Sequence, residues 1–227
     1  MLYTRRDEIA DAINNGHENP AYLPGIALPT RLGPTTSAAK ALAGADFMVV
    51  SIPAQALRAN LTQWAPLIEP QTVVVSLMKG IETHSGLRMS EVITEVTRVP
   101  AERVAVVSGP NPAREIAEKQ PAASVSSTTE TVAKTLQQAC LTLHFRPYTN
   151  TDVIGCELGG AVKNVIALAV GLAGGMGLGD NATALLMTRG LAETARLGAD
   201  PVSSVSTSVR AWPWTRRPWP RSRRRRA

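Results

Sequence analysis

The 227-residue sequence has little of what usually marks a metal site, an exported scaffold or a membrane anchor. Its two cysteines, Cys140 and Cys156, form no CxxC pair, and its histidines (His17, His84, His144) are scattered. No metal-ligand spacing results, so no metal is expected. The thiol usage points to a reducing, cytoplasmic setting. Aromatic residues make up 4% of the chain, so the core must be built from Val, Leu, Ile and Ala. The start, MLYTRRDE, carries charge but no apolar h-region, which argues against a secretory signal. The longest apolar run, Val165 to Gly179, is glycine-rich and shorter than the ~20 residues a spanning helix needs. A soluble protein with no membrane span is expected.

A GxGxxG turn, which would hold a pyrophosphate on backbone amides, is also missing near the start. Instead MLYTRR reads as the end of a second strand already in progress.

The net charge of +6 is unevenly placed. Residues 202 to 227 hold eight arginines, three of the four tryptophans and no acid. Without them, 16 basic residues face 18 acidic ones, a balance of −2. The body is mildly acidic, and the basicity belongs to the tail. That tail has no helix or strand period and is expected to be disordered. Basic runs with interleaved tryptophan can bind nucleic acid, which makes nucleic-acid binding an alternative function. The abrupt composition change after Pro201 also fits an out-of-frame end.

Three valine-rich runs organise the body: FMVVSIP (Phe47 to Pro53), TVVVSLMKG (Thr72 to Gly80) and RVAVVSGP (Arg103 to Pro110). Each is continuous rather than alternating, the mark of a strand buried on both faces of a parallel sheet. Helical stretches lie before and between them: Ser37 to Ala45, Gln55 to Ile68 and Leu87 to Thr97. Alternation of strand and helix predicts an α/β doubly wound, Rossmann-like parallel sheet. A short helix and strand over Asn111 to Ser127, a helix over Glu130 to Leu141 and an extended segment over Phe145 to Gly155 follow. From Glu157 the pattern becomes helical, and a second helix is expected from Asp180 or Asn181 to a stop at Gly198. The expected organisation is a sheet domain over residues 1–152, lacking its first strand and glycine turn. The start of an all-helical domain over 153–201 and the tail over 202–227 would follow it.

Ligands of open α/β sheets sit outside the carboxyl ends of the strands. That position holds Ser51, Lys79, Gly109 and Asn111. A lone serine there is more often a turn residue, whereas Lys79 at the mouth of a buried strand can reach a phosphate. A second lysine, Lys163, lies in GGAVKNVIALAVGLAGGMGLGDN (Gly159 to Asn181), which carries seven glycines. On a helix, Lys163, Ala167 and Gly171 share one face and leave a shallow groove beside the amine. Two readings fit that block. One is a lysine desolvated for proton transfer; the other is close helix packing with the lysine extending to solvent.

Five motifs in order resolve the family. The chain from about Leu2 to Asp200 resembles the bacterial NAD(P)-dependent glycerol-3-phosphate dehydrogenases. The resemblance rests on NPAYLPG (Asn19 to Gly25), SLMKGIE (Ser76 to Glu82), SGPNPAREIA (Ser108 to Ala117), GGAVKNVIALAVG (Gly159 to Gly171) and GLGDNATALLMTRGLAE (Gly177 to Glu193). It implies a Rossmann domain followed by a helical domain. The implied activity exchanges a hydride between sn-glycerol 3-phosphate and NAD or NADP, in the physiological direction reducing dihydroxyacetone phosphate for glycerophospholipid synthesis. Lys163 matches the family's proton-transfer lysine and a substrate contact. Lys79 matches a lysine touching both cofactor and substrate, and Gly109 and Asn111 match a substrate loop. Ala113 matches a cofactor contact, and Arg5 and Arg6 fall where basic residues meet the adenosine ribose or its 2′-phosphate. A homodimer is implied by the same analogy. The chain departs from the family at the glycine turn and at the segment that grips the substrate phosphate, where the arginine-rich tail stands. An inactive or weakly active fragment is therefore the alternative to an active enzyme.

Overall fold

A computed structural model describes residues 1–109, 111–120 and 122–199, so the basic tail assigned to 202–227 lies outside the described residues. The elements run in chain order β1 (Leu2–Tyr3), α1 (Asp7–Gly16), β2 (Glu18–Asn19), β3 (Leu23–Ala27), β4 (Pro34–Thr35), α2 (Ala38–Leu42), β5 (Phe47–Val50), α3 (Leu57–Trp64), β6 (Val73–Ser76), α4 (Met89–Thr97), β7 (Val104–Ser108), α5 (Ala113–Ala117), β8 (Ala122–Ser127), α6 (Glu130–Cys140), β9 (Phe145–Asn150), α7 (Val153–Gly175) and α8 (Asp180–Ala199).

The valine runs become β5, β6 and β7, and these three pair in parallel within a five-stranded sheet of order β5-β6-β7-β8-β9. Successive side chains of β6 face opposite ways. Val74 joins a cluster with Leu57, Leu61, Met89, Val92 and Ile93 from α3 and α4, while Val75 joins Ala105, Val107 and Leu136 on the α6 side. Period-two alternation with an apolar layer on each face explains why these runs are continuously hydrophobic. β8 runs antiparallel to β7, and β9 parallel to β8. The far edge of an otherwise parallel sheet is thus mixed.

β1 pairs in parallel with β4 in a separate two-stranded sheet. Among the described residues, neither β1 nor β5 has a strand on its other edge. In the doubly wound order 3-2-1-4-5-6, β4 and β1 take positions three and two and β5 takes position four. The position between them holds no strand among the described residues. Tyr3 of β1 still reaches the main core, meeting Trp64 edge-on at 5.7 Å between ring centroids.

Two helix limits differ from the sequence pattern. α7 starts at Val153 rather than Glu157, because the Asp152 carboxylate accepts the Gly155 N–H at 2.8 Å and caps the helix. The β-branched residues in TDVIG read as extended, and the cap overrides them. α8 runs through Gly198 to Ala199; a glycine inside a helix costs only about 1 kcal/mol against alanine and need not end it. α7 is also long and apolar enough to cross a membrane, with mean hydropathy 1.6 over its most apolar stretch. Counting from Val165 had made this segment shorter than it is. Its first turns carry the buried Glu157 and Leu158, and the helix packs on β7 and α8.

Candidate active site

The carboxyl ends of β6 and β7 and the first turns of α7 meet at one junction. Lys79 follows β6 and donates its Nζ–H to the Gly109 carbonyl, just beyond β7, at 2.9 Å. Gly160 of α7 presses on the same place. A Cβ added there would lie 2.8 Å from Ser108 Oγ and 3.5 Å from Lys79 Cγ, so the helix approaches only because glycine has no side chain. Gly160 and Lys163 are three residues apart on α7 and lie on neighbouring parts of one face. Lys163 therefore follows Gly160 to the Lys79 side of the helix.

The Lys79 ammonium titrates below the ordinary lysine value. Burial is the first cause and the nearby Lys163 charge the second. Lys79 as a residue still touches solvent, but its ammonium is tucked against the Gly109 carbonyl. Two cations held close attract an anion between them, because the Lys79 charge is partly desolvated and the pair repels internally until neutralised. Lys163 itself is exposed, as are Ala167 and Gly171, so the stripe predicted beside the amine is open among the described residues.

The loop after β6 closes tightly on the loop after β5. Gly80 has φ +140°, and a Cβ on it would come within 3.1 Å of Ala54 Cβ. Asn111 is half-buried on the loop after β7, and Ala113 opens the short α5 behind Pro112.

A second feature lies at the carboxyl ends of β1 and β5. Tyr3, Thr4, Arg5, Ile52, Pro53, Ala56, Asn60 and Trp64 line a groove of about 230 Å³. It has an apolar floor with a guanidinium at its rim, and it lies in the crevice where doubly wound sheets take dinucleotides. These residues fit the adenosine half of a nicotinamide cofactor. Arg6, next in sequence, turns elsewhere. It donates to Tyr22 Oη at 2.9 Å, with its guanidinium carbon 5.4 Å from the Tyr22 ring centroid. The structure thus brings Lys79, Gly109 and Lys163 together and sets Arg5 in a separate groove, with Arg6 against Tyr22. No cluster of three or more His, Cys, Asp or Glu side chains suited to a metal exists among the described residues.

Sequence reasoning did not single out the residues that fasten α7. Glu157, buried on its first turns, takes Arg88 Nη1–H at 2.6 Å and the Ser90 N–H at 2.8 Å, and also accepts from the Ser90 hydroxyl. Arg88 and Ser90 lie 69 and 67 residues away in sequence. The one local signal was a carboxylate inside an otherwise apolar segment.

Similarity to known proteins agrees with this arrangement. Residues 1–134 match the family model described as the NAD-dependent glycerol-3-phosphate dehydrogenase N-terminus. Residues 152–210 match that of its C-terminus, past the composition break at Pro201. The chain is 63% identical over 207 residues to a Streptomyces griseus glycerol-3-phosphate dehydrogenase [NAD(P)+], covering 89% of this chain and 62% of that protein. It is 64% identical over 205 residues to one from Thermobifida fusca, covering 88% of this chain and 61% of the relative. The chain therefore spans about three fifths of the length of these relatives. Among solved structures, the Coxiella burnetii glycerol-3-phosphate dehydrogenase superposes with a TM-score of 0.78 at 33% identity, over 86% of this chain and 60% of that one. The Plasmodium falciparum enzyme superposes with a TM-score of 0.81 at 26% identity, over 87% of this chain and 56% of that one. Two family models in sequence order, a Rossmann-like sheet and a lysine pair at its carboxyl edge lead to one assignment: the chain belongs to the NAD-dependent glycerol-3-phosphate dehydrogenase family.

Proposed function

We propose that this chain carries the NAD- or NADP-dependent interconversion of dihydroxyacetone phosphate and sn-glycerol 3-phosphate, in the cytoplasm and without a metal or a membrane span. The observation that supports it best is the pairing of Lys79 with Lys163 beside Gly109, at the carboxyl edge of the sheet. The nicotinamide, when bound, supplies or accepts the hydride. Lys163 holds the proton that the C2 alkoxide oxygen takes up as the carbonyl is reduced, and removes the C2 hydroxyl proton in the reverse direction. Lys79 places a second positive charge beside it, favouring a phosphorylated, anionic substrate. Gly109 and Asn111 shape the floor on which the three-carbon substrate lies, and Ala113 borders the cofactor. Arg5 offers charge to the ribose or its 2′-phosphate from the groove it lines, and Arg6 does so only on leaving Tyr22. In this proposal residues up to about Asp152 form the cofactor domain and the helices from 153 to 201 begin the substrate domain, through which two copies pair.

The test follows oxidation of NADH or NADPH by the purified chain with dihydroxyacetone phosphate. Turnover that disappears in Lys163→Ala while cofactor affinity persists supports the assignment. Cofactor binding with no turnover in the parent chain, or no binding at all, favours the reading as an inactive fragment.

A further inference from the structure

The carboxylate of Glu157 has a place in the fold that packing alone does not account for. It lies on α7 two turns before Lys163, and 3% of its side chain is exposed. Three donors converge on it: Arg88 Nη1, the backbone N–H of Ser90 and the Ser90 hydroxyl. Ser90 is the second residue of α4, so its N–H is one of the orphan donors at a helix start. The Glu157 carboxylate thus caps α4 from a different helix, where the α4 dipole favours a negative charge. Arg88 is itself held from a second side, by Glu91 at 2.8 Å, so the guanidinium cannot follow a moving Glu157.

Other anchors of α7 include apolar and steric contacts. Leu158 is 1% exposed, and Gly160 rests on Ser108 and Lys79. Such contacts let a helix slide or roll by small amounts. A buried carboxylate with three directional donors does not, because any displacement leaves a desolvated charge underbonded. Glu157 and Lys163 are six residues apart, about 9 Å along the axis. Over that span the helix transmits a shift at one end nearly undiminished to the other.

We propose that Glu157 is the positioning residue for Lys163: its grip on Arg88 and the first turn of α4 sets the place and rotation of α7, and so the approach of Lys163 to Lys79. The catalytic meaning of that approach rests on the function proposed above; the geometric claim does not. Glu157→Gln keeps the side-chain volume, removes the charge and turns an amide group toward Arg88.

The experiment uses the full chain and two readouts. The first is the yield of a short amine-to-amine cross-link between Lys79 and Lys163, measured by mass spectrometry. The second is kcat and KM for NADH or NADPH. Glu157→Gln is expected to lower the cross-link yield about tenfold and kcat by a similar factor, within the ~10²-fold that a misplacement near 1 Å can cause. The cofactor KM stays unchanged. Glu130→Gln, on an exposed ion pair of α6, changes neither. An unchanged cross-link in Glu157→Gln overturns the proposal, even where turnover falls. If that variant does not fold, Ser90→Ala removes one donor and keeps the carboxylate; full cross-linking there overturns the proposal equally. If the parent chain cross-links but shows no turnover, the enzyme assignment fails and the cross-link series still decides the role of Glu157.

Discussion

Val74, Val75, Ala105 and Val106 in β6 and β7 are sealed from solvent, while Val165, Leu168 and Leu172 in α7 are 57–66% exposed. Both sets are apolar, and they differ in their neighbours. The strands have helices on each face and partners on each edge. α7 packs on the sheet over its first turns and along α8, where Gly190 faces Ile166 so closely that a Cβ would meet it at 2.8 Å. Its outer stripe has no cover among the described residues. The comparison teaches where rigidity comes from. Lys79 and Gly109 directly follow strands that are buried on both faces, whereas Lys163 stands on a helix with one face open.

Removing a core side chain should have the largest effect. Leu61→Ala, at a site with 0% exposure between α3 and the sheet, is expected to cost about 2–5 kcal/mol in urea unfolding. A loss below that range would mean that the sheet side is no better packed than the helical side. Gly160→Val tests the seam between the two regions. Its side chain collides with Ser108 and Lys79, and the expected cost is about 1–3 kcal/mol. Turnover should fall further than stability, because α7 lifts off the lysine pair.

The third test concerns the clamp on the sheet side. Arg58 binds Glu82 through two bonds of 2.9 Å and Glu95 through one of 2.7 Å, joining α3 to α4 and to the loop after β6. The Arg58 guanidinium, and then the Ser85 hydroxyl, hold the Glu82 carboxyl below the usual carboxylate range. A carboxylate lowered on folding stabilises above its unfolded pKa, and that stability is lost as pH falls through the folded value. Arg58 is 38% exposed, so solvent screening limits the contribution to about 1 kcal/mol. The gap between the parent chain and Glu82→Gln should be full at neutral pH and shrink progressively below about pH 4. A gap that does not vary with pH would show that the charge is not its source.

The smallest effect is expected on the open stripe. Leu168→Ser should change stability by no more than about 0.5 kcal/mol. It should reduce self-association measured by sedimentation, since a contiguous apolar surface favours association. A large loss of stability would mean that Leu168 is covered in solution.

Much of the sheet could be read directly from the chain. FMVV, VVVS and VAVVS are continuous valine-rich runs between helical segments, and strands buried on both faces demand that composition. The antiparallel direction of β8 was not readable, because a short apolar run has the same pattern in either direction. The site was readable in part. Lys79 stood at a strand mouth, and Lys163 in an apolar, glycine-rich segment that fitted either proton transfer or close helix packing. The role of Gly160 was hidden among seven glycines, since spacing alone does not tell which of them touches another element.

Sequence by itself determined the family, the positions of the parallel strands and the two lysines, because side-chain period and local composition are encoded over a few consecutive residues. Tertiary structure decided that Lys79 meets Gly109, that Gly160 admits α7 to Ser108, and that Glu157 closes on Arg88 from 69 residues away. Those contacts depend on the meeting of elements remote in the chain. A buried carboxylate finds its donors only after the helices that carry them have packed.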